Sequence, residues 1–274
     1  MDGKRWGYMT RLSSSLCPIT LGWFLSRFVL SHANGIQVLG LYLLPGFVML
    51  LYLVFGVFAC SVKLHSPLLS HRLALGIVAD SAFYWIVRPG AQESPTAAGY
   101  WDGAVWAGSG AGLAAVVLVS VLCTWGRGRR PITDSPQAVS SGMVAVALLS
   151  TLFTVLAFRI AHVLLRHLPN EARSTIVAGF EMHHAYFGCA LFVALFFSLP
   201  VRSGLARLAY FVAYGLSSGM ILDQATYVML PDVSDLGYDG LVSRVGAVGL
   251  TAAFVGYGAS LRVRGTKLWR ERRA

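Results

Sequence analysis

The run AVWAGSGAGLAAVVLVSVLCTW, residues 104–125, decides the fold. It is far too long for a strand and holds no charged side chain. As a helix rising ~1.5 Å per residue it would reach ~33 Å. That matches the ~30 Å hydrocarbon core of a bilayer. Asp102 precedes it, and Arg127, Arg129 and Arg130 follow it. The segment therefore predicts a membrane-crossing helix with its basic end in the cytoplasm.

Working outward, the same reading places spans at about 13–31, 36–62, 73–88, 139–165, 175–199, 205–228 and 241–261. With 104–125 these make eight. The expected fold is an all-α, polytopic transmembrane helix bundle, a single membrane domain over residues 1–274 in which no sequence repeat is evident. The mean hydropathy of +0.64 agrees, and charged residues at 12% are too few to cover a soluble domain of 274 residues.

The basic residues fix an orientation. Lys63 and Arg72, then Arg127, Arg129 and Arg130, then Arg202 and Arg207, and last the tail from Arg262 to Arg273 fall on one side. Glu93, Asp102, Glu171, Asp232, Asp235 and Asp239 fall on the other. The expectation is a multi-pass protein of the cell membrane, an inner membrane in a two-membrane cell, with its C-terminus cytoplasmic. The net charge of +10 is thus explained by loops facing anionic lipid, and no nucleic-acid partner is expected. Near the N-terminus, Lys4, Arg5 and Arg11, an apolar stretch and Ser31-His32-Ala33 resemble a cleavable signal peptide, which would leave seven spans. An uncleaved first helix turning at His32–Gly35 gives eight. Cys17, Cys60, Cys123 and Cys189 form no CxxC pair and predict neither a disulfide framework nor a thiolate zinc site.

Ionisable groups inside a bilayer are costly and mark sites by default. Counting along the expected helices puts His183 and His184 ~12–14 Å below the outer end of their span, with Glu181 ~9 Å deep. Asp223 and Gln224 lie ~6–8 Å deep, Arg159 and His162 ~5–9 Å, and Asp80 ~12 Å. Four helices thus carry their polarity toward the outer leaflet, which predicts one shared pocket. Arg159 is expected to pair with Asp223 or Glu181, whereas Arg27, near its helix end, is expected to snorkel. Gly215 and Gly219 form a GxxxG face expected against the helix bearing His183 and His184.

The segment Gly179-Phe-Glu-Met-His183-His184-Ala-Tyr-Phe-Gly188 resembles the HHxxxG signature of a family of uncharacterised prokaryotic integral membrane proteins. Gly215 and Gly219, Asp223-Gln224, Asp232 and Ser243-Arg-Val-Gly-Ala-Val248 follow in that family's order, over roughly the C-terminal third. The resemblance implies a site at these positions but no particular activity. Gln224 stands where the family has Glu, and the aromatic pair after Asp232 is missing.

Three functions fit these residues. The first is a metal-dependent membrane enzyme acting on a lipid or another hydrophobic substrate. Its Zn or Fe would be held by His162, His184 and Asp223, with His183 or Asp80 as alternates, and Asp80, Glu181 or Asp223 would be the catalytic carboxylate. The second is a non-catalytic accessory or assembly subunit, with membrane lipid and other protein subunits as partners. The third is a haem-binding protein, with His162 and His183 or His184 as axial ligands, or an ion-coupled membrane protein.

Overall fold

The computed structural model describes residues 3–28, 36–38, 41–43, 45–63, 65–87, 103–126, 139–165, 176–177, 180–181, 184–199, 204–228 and 238–271. The all-helical bundle expected from the sequence is present. In chain order the described elements are α1 (Gly3–Phe28), β1 (Ile36–Val38), β2 (Leu41–Leu43), α2 (Pro45–Lys63), α3 (Leu69–Val87) and α4 (Gly103–Gly126). Then come α5 (Ser141–Leu165), β3 (Ile176–Val177), β4 (Phe180–Glu181), α6 (His184–Ser198), α7 (Gly204–Val228) and α8 (Leu241–Glu271). Four of these helices are long and apolar enough to cross a membrane, over Trp106–Cys123, Ser141–Leu164, Gly204–Tyr227 and Leu241–Val263. The chain is multi-pass on that ground. Val48–Lys63 and His184–Ser198 are apolar but shorter.

Two expected spans begin differently. In place of a helix from residue 36, β1 and β2 pair antiparallel, with Ile36 opposite Leu43, and helix starts only at Pro45. Proline lacks the N–H that a first helical residue leaves unbonded anyway, so it fits that position and no earlier one in a ladder. Likewise, residues 175–199 are not one helix. Ile176–Val177 pairs with Phe180–Glu181, and α6 follows over only 15 residues. Ile and Val favour extended backbone. The hairpin turn expected at His32–Gly35 lies outside the described residues.

Contacts group the chain into two units, Met1–Val57 with Pro67–Ser135, and Phe58–Ser66 with Pro136–Ala274. In the first unit, α1 crosses α3 where two glycines meet. A β-carbon on Gly22 would overlap the Leu73 carbonyl, and one on Gly76 the Ile19 carbonyl. The start of α3 is fixed by His71, whose Nδ1 accepts the Leu68 N–H at 3.2 Å, one arm of a capping box.

The second unit packs by the same means. Gly215 and Gly219 of α7 lie against Ala147, Ser150, Thr151 and Thr154 of α5. This corrects the expected partner of the GxxxG face: α6 approaches α7 through its own Gly188, whose carbonyl accepts the Ser217 hydroxyl at 2.8 Å. Thr151 and Thr154 turn their hydroxyls back onto the Ala147 and Ser150 carbonyls, which leaves the Thr154 methyl to face Gly219. Phe58, at the end of α2, stacks on Tyr214 and Phe254 with centroids 5.6 and 5.0 Å apart. On the outside of α5, Leu149, Phe153, Leu156, Ile160 and Leu164 are exposed, an apolar face suited to lipid.

Candidate functional site

The second unit gathers its polarity around Asp223, near the C-terminal end of α7 and fully buried. A bare carboxylate there would be untenable, and three donors meet it. Arg159 of α5 gives Nε–H to Oδ1 at 2.5 Å. The Tyr238 hydroxyl, just before α8, donates to Oδ2 at 2.5 Å, and His184 Nε2 lies 2.8 Å from the same oxygen. Arg159 also bonds the Tyr238 carbonyl at 3.0 Å, the Asp223 carbonyl at 2.9 Å and the Ser243 hydroxyl of α8 at 3.2 Å. Its guanidinium lies 4.1 Å from the Tyr238 ring centroid. The expected pairing of Arg159 with Asp223 is therefore present.

His184 is the first residue of α6, at a helix end and not two turns down a span as its sequence position suggested. Its ring stacks on Phe158 of α5 at 3.9 Å and is 16% exposed. With Nε2 against the Asp223 carboxylate, Nδ1 is the ring nitrogen left for another partner. No described residue occupies Nδ1. Gln224, adjacent to Asp223, serves α6: its Oε1 accepts the Ala185 N–H at 3.0 Å. The amide thus caps a helix start.

At the rim, His162 Nε2 pairs with Asp239 Oδ2 at 3.3 Å, and Arg244 with Asp239 Oδ1 at 3.3 Å. His162 also meets the Tyr238 ring edge-on at 4.6 Å. Burial first, and the Asp223 charge second, push the Tyr238 phenol up, so it stays a neutral donor.

Of the expected site residues, Asp223 and His184 come together, while His162 belongs to the neighbouring pair with Asp239. His183 lies outside the described residues. Glu181 is in β4, but its side chain lies outside them too. Among the described residues no three His, Cys, Asp or Glu side chains converge as a metal donor set. The donor chemistry agrees, because both Asp223 oxygens are already engaged and a guanidinium sits where a cation would approach.

Asp80 belongs to a separate cluster in the first unit. It is fully buried on α3 and bonds Arg27 of α1 at 3.0 Å. The snorkelling expected of Arg27 is thereby corrected: its side chain is wholly buried. A partner one helix away holds it more strongly than the interface would. Ser109 of α4 donates to Asp80 Oδ1 and accepts the Trp23 indole N–H at 2.7 Å. Trp106 covers the Arg27 guanidinium at 4.9 Å.

Tyr238, Ser109 and the capping role of Gln224 were not expected from the sequence, whereas Ser243 lies in a stretch that the resemblance implied as part of a site. The chain matches no protein-family model, and comparison with curated proteins and with solved structures likewise gives no match.

Proposed function

We propose that this chain is an ion-coupled membrane protein whose working group is His184, a proton-exchanging imidazole held by Asp223. One observation carries the reading. Beside the Arg159–Asp223 pair, the His184 imidazole is partly exposed, and its Nδ1 bonds no described residue. The groups facing it are Arg159 and Phe158 of α5, Asp223 of α7 and Tyr238, with His162 and Asp239 beyond the tyrosine ring. Arg159 and Tyr238 both donate to Asp223, which leaves the imidazole as the proposed acceptor of an arriving proton. The basic loops and tail support a cell-membrane location with a cytoplasmic C-terminus, and lipid is the surrounding partner. The HHxxxG resemblance supports placing the site at this helix end.

Deuterium exchange at histidine C2, read by mass spectrometry across pH 5–9 in detergent, tests the proposal. His184 should show a sigmoidal rate profile that shifts in Asp223→Asn. A flat profile at His184 would overturn it. Stoichiometric Zn or Fe in the purified protein would restore the metal-dependent enzyme reading.

A second reading is favoured by the four hydrogen bonds of Arg159, which reach α7, the Tyr238 segment and α8. Fully satisfied buried networks fix one arrangement of helices. In a non-catalytic accessory subunit the cluster would serve only that end, and replacing His184 with Gln would change neither proton uptake nor assembly with partner subunits.

A further inference from the structure

The chain repeats one plan in two successive sets of four helices. In chain order, α1, the β1–β2 hairpin, α2, α3 and α4 are followed by α5, the β3–β4 hairpin, α6, α7 and α8. Both hairpins fall between the first and second helix of their set. In each set the first and third helices make the most extensive contact, and third–fourth and first–fourth contacts recur, whereas the close α6–α7 packing has no comparable α2–α3 counterpart. In each set that first–third crossing is made close by glycine: Gly22 and Gly76 in one, Gly215 and Gly219 in the other.

The charged residues obey the same plan. An arginine in the C-terminal part of the first helix, Arg27 or Arg159, bonds a fully buried aspartate in the C-terminal half of the third, Asp80 or Asp223. A serine near the start of the fourth helix, Ser109 or Ser243, bonds the pair. An aromatic ring at that same helix start, Trp106 or Tyr238, lies over the guanidinium at 4.9 or 4.1 Å. Four chemically matched positions in matched order are a strong coincidence for unrelated bundles.

The sets also differ. Gly188 seats α6 along α7, whereas α2 meets α3 through the stacked Tyr52 and His71 rings and the Gly56 notch. The difference at the aspartates is sharper. Asp223 Oδ2 accepts from Tyr238 and His184, while Asp80 Oδ2 has no hydrogen-bond partner among the described residues. At the start of the second helix, where the second set has His184, the first has Pro45.

We infer that the chain is a tandem of two versions of one four-helix module, in which Arg27–Asp80 and Arg159–Asp223 are corresponding clamps, and that the second module alone carries the working group, His184. The first module shows what the clamp does without an imidazole: it joins the first, third and fourth helices. Arg159, Asp223 and Ser243 are therefore positioning residues that hold the place where His184 acts. This last assignment rests on the proton-exchange reading, and the tandem does not.

Two double-mutant cycles in the full-length protein test the tandem, Arg27→Gln with Asp80→Asn and Arg159→Gln with Asp223→Asn. Breaking either buried pair from one side should lower Tm by about 10 °C, and each double variant should recover at least half of that loss. Coupling in one pair and none in the other would overturn the correspondence. If the single variants do not fold, Arg27→Lys and Arg159→Lys replace them. Both should lower Tm, because an ammonium reproduces neither the guanidinium's reach to the aspartate nor its stacking under the ring, and an unchanged Tm in either sinks the correspondence. Independently, His184→Gln should leave the Arg27–Asp80 coupling unchanged while removing the pH-dependent proton uptake of the solubilised protein. Retained uptake would overturn the placing of the working group at His184 but leave the tandem standing.

Discussion

At the scale of single residues, the Tyr238 hydroxyl shows how the Asp223 cluster sets its own charge. Its phenol is raised in the folded protein, so above the ordinary phenol value of about 10 the folded form keeps a proton that the unfolded chain gives up. The unfolded state then binds fewer protons, and stability falls as pH rises past that point, whereas below it this contribution is fully present. Tyr238→Phe should therefore flatten the alkaline limb of a Tm-against-pH curve, at a cost of about 1–3 kcal/mol near neutrality for the lost buried hydrogen bond. An unchanged alkaline limb would contradict the assignment. Gln224→Ala should cost about 1 kcal/mol by uncapping α6, measured by denaturant or thermal melting, and should leave the metal content of the protein unaltered. The pairing of Arg159 with Asp223 was legible in the sequence, because both residues are the costly ones in their spans. The part played by Tyr238 was not, since a tyrosine in a polar loop is ordinary until an aspartate is found beneath it.

At the scale of elements, glycine position separates contact faces from open ones. Gly215 has the α5 backbone against it, whereas Gly249 on α8 has nothing within 4 Å. Gly215→Val should prevent the α5–α7 approach and lower the yield of folded protein severalfold in size-exclusion profiles. Gly249→Ala should be neutral or stabilise by up to about 1 kcal/mol through a less flexible unfolded chain. If the two variants behave alike, the packing of α7 on α5 is wrong. Sequence gave the helices that are uniformly apolar, such as α4 and α5, within a few residues. It missed the hairpins before α2 and α6, because Ile36–Leu43 and Ile176–Glu181 are apolar enough to extend a helical run. Hydropathy measures burial and not backbone conformation, and only Pro45 hinted at the break.

At the scale of the whole molecule, the class of fold was open to reading from composition alone, while the tandem plan was not. The matched positions are few, and the segments joining them differ in length, so no alignment of one half on the other stands out by eye. The orientation is testable directly. Alkaline phosphatase fused after Ala274 should be inactive and a fluorescent protein at the same place bright, as the positive-inside bias requires. The reverse pattern would invert the topology. The shortness of α6 has a consequence for the bilayer itself. Fifteen residues span only ~22 Å, well short of a ~30 Å hydrocarbon layer. Lipid beside this helix must thin, or head groups and water must dip to meet its end. The hairpin's backbone groups also cannot lie in dry hydrocarbon without partners. A bilayer thinned beside α6 would bring water to the His184 end of the helix without any channel bored through the protein.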